Sequence, residues 1–187
     1  QWRLLLNLLW PEKTAPQVNQ TKPLVYKNTR YILGYKNPDV KAAIRNNKFH
    51  HHKQSAIWLA AQLDTQLDQL KPDHIIAIPS SKTRMQERGY QHLLHILQHS
   101  NYRDTVRLAV LEKHQHTKPQ SHVDRTQRLN QQSGTYRCNT PKASTLNGRV
   151  ILLDDVITTG ATMAAAQNSL KPHLPSGSKL VCLSLAH

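Results

Sequence analysis

VILLDDVITTGAT, residues 150–162, is the stretch from which the rest of the chain can be read. Val150, Ile151, Leu152 and Leu153 are apolar without a break. A run this short fits a strand covered on both faces of a parallel sheet. Asp154 and Asp155 fall where that strand ends. Thr158, Thr159, Gly160 and Thr162 follow, ahead of helix-like residues 161–170. A helix N-terminus carries unpaired N–H groups and a partial positive charge, and so favours a phosphate. The Thr hydroxyls add donors, and Gly160 lets the backbone come close. Paired carboxylates suit two sugar hydroxyls or a hydrated Mg²⁺. One stretch therefore offers acids for a sugar and amides, from Thr158 through Ala161 to Thr162, for its phosphate. Ordinary helix capping accounts for one acid but not two. No Gly-Lys-Ser/Thr follows, and there is no G-x-G-x-x-G turn, which excludes two common nucleotide motifs.

Further out, the same logic recurs. Residues 73–79, DHIIAIP, predict a second buried strand, followed by a small polar turn and a helix over 85–99. Ser80, Ser81, Lys82 and Arg84 in that turn offer hydroxyls, amides and cations to a diphosphate. Asn37-Pro38 predicts the start of a helix reaching residue 49, with Val40, Ala43 and Ile44 on one face. Residues 54–70 predict a longer amphipathic helix. Strands are predicted within 24–35, at 106–111 and at 179–186. Strands alternating with helices predict an α/β fold with a doubly wound, mostly parallel sheet, whose carboxyl edge carries both polar turns. Pro11, Pro16 and Pro23 mark residues 1–23 as an irregular lead-in and leave 24–187 as the domain. Within it, residues 112–134 form a long polar insertion of the kind that makes a lid or binding loop. Lys118, Arg125 and Arg128 give that insertion anion-binding capacity. His92, His95 and His99 share a helix face, but no carboxylate or cysteine completes a zinc site, and none is expected.

Composition narrows the class. The 187 residues carry a formal charge of +14, which attracts polyanions such as nucleic acid or a phosphorylated substrate. Mean hydropathy is −0.60, and no apolar run approaches the roughly 20 residues that span a bilayer. Residues 2–10, WRLLLNLLW, are interrupted by Asn7 and lack a small-residue cleavage site, so export is not expected. The first residue is Gln1 rather than Met, which leaves room for preceding residues. Two cysteines, Cys138 and Cys182, exclude a disulfide scaffold, and a reducing cytoplasm is the simple expectation.

The DDVITTGAT segment closely resembles the 5-phosphoribosyl 1-diphosphate (PRPP) motif of type I phosphoribosyltransferases. That resemblance implies ribose contacts for Asp154 and Asp155, a 5′-phosphate cradle at residues 158–162, and a pyrophosphate loop at Ser80, Ser81, Lys82, Arg84 and Arg88. It also implies Mg²⁺ bound with the substrate, a flexible hood over about 112–134, and pentosyl transfer with loss of pyrophosphate. Thr158 stands where enzymes acting on 6-oxopurines usually have Asp, which weakens a hypoxanthine or guanine reading. ERGYQ at residues 87–91, TKPQ at 117–120, Arg125, Arg128, Asn130 and Gly134-Thr135-Tyr136 resemble segments of ComF-type competence proteins, as do Tyr35 and Lys48-Phe49. This implies support of DNA uptake, with single-stranded DNA or competence-machinery proteins as partners. The N-terminal cysteine zinc ribbon frequent in that family is missing from this chain. A nucleobase-salvage enzyme and a non-enzymatic DNA-processing partner with a vestigial or regulatory PRPP site stay open beside it.

Overall fold

The structure, a computed structural model, describes residues 24–113 and 135–187. In chain order these form β1 (Leu24–Tyr26), β2 (Thr29–Leu33), α1 (Pro38–His50), α2 (Lys53–Leu70), β3 (His74–Ala77), α3 (Lys82–Arg88) and α4 (His92–Leu97). There follow β4 (Leu111–Lys113), β5 (Tyr136–Cys138), α5 (Thr140–Ala143), β6 (Arg149–Val156), α6 (Ala161–Leu170) and β7 (Lys179–Ala186). The main sheet has the order β1-β2-β7-β6-β3. β2, β7, β6 and β3 run parallel, and β1 closes one edge antiparallel to β2. This is the expected mixed α/β architecture with a mostly parallel sheet.

β6 sits between β7 and β3, and Val150, Ile151, Leu152 and Leu153 are all fully buried. Successive side chains of a strand point to opposite faces. Ile151 and Leu153 join a core with residues of α1, α2 and α4, including Ile44, Leu59 and Leu93. Val150 and Leu152 join a separate core with Met163, Ala166 and Leu170 of α6 and with Tyr136. The unbroken apolar run is thus explained: each residue has its own layer to fill.

Local signals set the boundaries. The Asn37 side chain accepts from the Asp39 N–H at 2.9 Å, capping α1, with Pro38 in its first turn. β1 and β2 form a hairpin through Lys27 and Asn28, both left-handed at φ 45° and 62°. Such a pair matches the twist of a two-residue hairpin turn.

Two expectations are corrected. The helix over 85–99 is two helices, α3 and α4, broken at Gly89, which takes φ 73° and caps α3 by donating to the Met85 carbonyl. The strand at 106–111 is not continuous. Val106 makes a lone parallel bridge to Ile75, Ala109 turns left-handed at φ 54°, and β4 starts only at Leu111. β4 pairs antiparallel with β5 in a separate two-stranded ribbon. The insertion between them, with Lys118, Arg125 and Arg128, lies outside the described residues, as does the 1–23 lead-in.

Gly148, just before β6, takes φ 86°, and a Cβ there would collide with the Asp73 carboxylate. That carboxylate accepts from the Arg149 N–H at 2.7 Å. Gly148→Ala is therefore expected to combine left-handed strain with a displaced acceptor, costing about 2–3 kcal/mol. A lower urea midpoint at unchanged slope would register it, and an unchanged midpoint would refute it.

Candidate functional site

Both polar turns lie at the carboxyl edge of adjacent strands. The Ile78 N–H donates to the Leu153 carbonyl at 2.8 Å, so the chain leaving β3 stays against β6 as far as the turn at 79–81. The Ile157 N–H donates to the Ala186 carbonyl at 2.9 Å, which anchors the start of the loop after β6 to β7.

The alternation that sorted residues 150–153 also separates the two acids. Asp155 follows Ile151 and Leu153 toward α1 and α4. Its Oδ2 lies 2.5 Å from Lys48 Nζ, at the end of α1, and 2.9 Å from His92 Nε2, at the start of α4. Its Oδ1 accepts from the Val156 N–H at 2.8 Å. Burial alone would raise this carboxyl, but His92 and Lys48 outweigh it and hold it well below the usual carboxylate range. Asp154 takes the other side, where Tyr136, Lys113 and Arg84 lie within reach of electrostatic influence. One of its oxygens accepts from the Asp155 N–H at 2.9 Å, and among the described residues it makes no ion pair. Burial, reinforced by the adjacent Asp155 charge, pushes its carboxyl up to about 7. One acid is tightly held and ionised, and its neighbour has spare acceptor capacity and a proton easily displaced by a cation.

The ribbon supplies the wall beside Asp154. The Tyr136 hydroxyl is buried without a partner among the described residues. Burial, with the Asp154 charge added, pushes that phenol up to about 12. Lys113, 5.5 Å above the Tyr136 ring, is lowered by burial and by Arg84 and supported by Asp154.

Thr158 and Thr159 are exposed, and Gly160 takes φ 78° at the start of α6. The N-cap residue Gly160 has no side chain to cap this helix, and the Ala161 N–H donates to the Thr159 hydroxyl at a long 3.4 Å, so the helix start keeps the donor character that a phosphate requires. Lys27, on the hairpin turn, reaches across to donate to the Thr159 carbonyl at 3.0 Å. The His187 ring, stacked on Tyr26 at 4.1 Å, places Nδ1 2.9 Å from the Ile157 carbonyl. The hairpin and the last strand therefore brace the loop from outside.

Around the second turn, the Ser81 hydroxyl accepts from the Arg84 N–H at 3.3 Å and caps α3. Ser80 Oγ lies 3.4 Å from His92 Nδ1. Arg84 is exposed, while Arg88 packs its guanidinium 4.8 Å above the Phe49 ring. The structure thus brings Asp154, Asp155, the 158–162 loop and the 80–84 turn to one edge. Ser81 serves as a cap, and Arg88 turns to Phe49.

Sequence reasoning missed the partners. In the sequence His92 stands out only on a shared histidine face, and Lys48 only within a family pattern. Lys27 carried no motif at all. His95 Nδ1 lies 2.8 Å from Asn47 Oδ1 and its ring stacks on His51 at 3.8 Å, so the histidine face divides among separate partners. Among the described residues no three His, Cys, Asp or Glu side chains form a metal-holding group.

The family model for the phosphoribosyl transferase domain matches residues 47–186. The chain belongs to the phosphoribosyl transferase family. The matched span contains Lys48, the turn after β3, His92, both acids and the loop into α6. No curated protein matches the chain. Among the described residues, no helix of this phosphoribosyl transferase domain is long and apolar enough to cross a membrane.

Proposed function

We propose that this phosphoribosyl transferase domain binds PRPP with Mg²⁺ at the carboxyl edge of its sheet. The 5′-phosphate sits on the amides and hydroxyls of Thr158, Thr159, Gly160, Ala161 and Thr162. The ribose hydroxyls meet Asp154 and Asp155. The diphosphate lies toward Ser80, Ser81, Lys82 and Arg84, with Arg88 behind them and Lys118, Arg125 and Arg128 closing over from the hood. The observation that carries this reading is the unequal pair at the end of β6. Asp155 is pinned by Lys48 and His92, while Asp154 keeps acceptor capacity free next to a helix start whose N-cap is Gly160.

The donor set fits Mg²⁺ held largely through substrate oxygens, because Asp154 offers a hard carboxylate oxygen and, among the described residues, no preformed cage stands beside it. When bound, Mg²⁺ would neutralise charge building on the departing diphosphate. The chain's own part is to orient the ribose through its acids, hold the phosphate on the α6 amides and place Arg84 and Lys113 near the developing charge.

The ERGYQ segment at 87–91 supports a ComF-like role in DNA uptake, in the cytoplasm, with single-stranded DNA or competence proteins as partners. The +14 charge is in keeping with that role. In the structure this segment ends α3 and turns the chain into α4. The Tyr90 hydroxyl donates to the Asn47 carbonyl, and the His51 N–H donates to Tyr90. The segment therefore holds the site's scaffold together.

Calorimetry with PRPP and Mg²⁺ tests the ligand. Micromolar binding, about −8 kcal/mol, that disappears in Asp154→Asn/Asp155→Asn is the expected result. An intact, folded chain that does not bind would defeat the reading. With binding established, pyrophosphate release across a panel of bases decides turnover, and the salt dependence of single-stranded DNA binding decides the nucleic-acid role.

A further inference from the structure

His92 opens α4 with its side chain only 6% exposed, and its two ring nitrogens face two different elements. Nε2 lies 2.9 Å from Asp155 Oδ2 at the end of β6. Nδ1 lies 3.4 Å from Ser80 Oγ in the turn after β3, toward the long end of hydrogen-bond range. The backbone of His92 is also held, since its carbonyl accepts from Asn47 Nδ2 of α1 at 3.0 Å. A buried ring that only filled space would not need both nitrogens aimed at the two loops of the site. We propose that His92 is a positioning residue that couples the carboxylate at the end of β6 to the turn after β3. The inference rests on the PRPP reading, in which those two loops hold the two ends of one substrate.

The chemistry is specific about the ring. A proton on Nε2 stands at ion-pair distance from Asp155, off the line of a hydrogen bond, and leaves Nδ1 with a lone pair for the Ser80 hydroxyl to donate to. Lys48 meets the same Asp155 oxygen from α1, so the carboxylate is fixed from two helices. A shift of Asp155 when a sugar arrives then moves the imidazole, and the imidazole moves Ser80. The ribose end of the site and the diphosphate end are set together.

The test measures Mg²⁺-pyrophosphate, a probe that does not touch the ribose acid. Affinities are measured for the intact chain, Asp155→Asn, His92→Gln and the double variant. Gln at 92 can still reach Asp155 but offers Ser80 nothing at the Nδ1 position. Coupling predicts that Asp155→Asn weakens pyrophosphate about fivefold, and that this effect vanishes in the His92→Gln background. Simple charge removal predicts the opposite sign, tighter pyrophosphate. Equal effects in both backgrounds, or a tightening, would overturn the link.

Imidazole nitrogen NMR on the ligand-free chain separates failure of the link from failure of the PRPP reading. Ser80→Ala is expected to move the His92 Nδ1 resonance, and Asp155→Asn the Nε2 resonance. Movement of both, with no PRPP bound at any concentration, would keep the link and defeat the ligand reading. Unmoved resonances would overturn the link even in a chain that binds PRPP.

Discussion

Asp155→Ala is expected to remove about 3–5 kcal/mol of folding stability and to abolish PRPP binding in whatever fraction stays folded. The residue is buried near the end of a central strand, with Lys48 Nζ and His92 Nε2 both beside one of its oxygens. Its other oxygen accepts the Val156 N–H. Alanine leaves the Lys48 ammonium and the Val156 N–H without their acceptor and the buried His92 ring without the carboxylate it faces, and the desolvation cost of an abandoned buried partner is the large term. The Lys48 side chain is 21% exposed and can turn toward water, which places the loss toward the lower end of that range. Asp155→Asn keeps an oxygen for Val156 and should cost less. Urea unfolding of the two variants beside the parent decides the matter. An Ala variant as stable as the parent would mean that Lys48 and His92 do not depend on Asp155.

Asp154 is expected to make both stability and ligand affinity depend on pH, in opposite directions. Its carboxyl is raised from 3.8 to about 7. Between those values the unfolded chain has released the proton and the folded chain keeps it, so stability falls as pH rises through that window and levels off above it. Asp155, shifted downward, contributes stability that is present above 3.8 and is lost as pH falls below that value. On the proposed reading Mg²⁺ and PRPP need Asp154 ionised, so their affinity should rise by up to about tenfold per pH unit until about pH 7 and then flatten. Asp154→Asn should be more stable than the parent at pH 8, show no decline between about pH 4 and 7, and bind no PRPP. Thermal midpoints and calorimetric titrations across that range check both limbs. A parent whose PRPP affinity is flat through pH 6–8 would remove Asp154 from the ligand's charge balance.

β6, α6 and β7 were legible in the sequence because each carries a local signal: an unbroken apolar run, a Gly before a helical pattern, a Leu-rich apolar ending after Pro175 and Gly177. α1 was legible from Asn37-Pro38 for the same reason. The fused helix over 85–99 was misread because its periodicity survives the break. Gly89 reverses the backbone for one residue, and Leu93 and Ile96 resume the pattern beyond it. Residues 106–110 mislead in the other direction. They look like a strand, but only Val106 pairs, and Leu108 is left 58% exposed. The acids of the site could be read, and their partners could not. Lys48 is 107 residues from Asp155, and Lys27 is 132 residues from Thr159. Nothing in spacing or composition announces pairs that exist only once the sheet has closed.

The ribbon of β4 and β5 has a consequence for how this domain can change over time. Lys113 pairs directly with Tyr136, so the chain leaves for residues 114–134 and returns at neighbouring points, away from the ladder of the main sheet. Length and composition can drift in that interval without shifting the register of β6 or β7. The ribbon is also tied down: Ser169 of α6 donates to the Tyr136 carbonyl at 2.9 Å. A change of length there leaves Lys113 and Tyr136 paired with each other, on the wall beside Asp154.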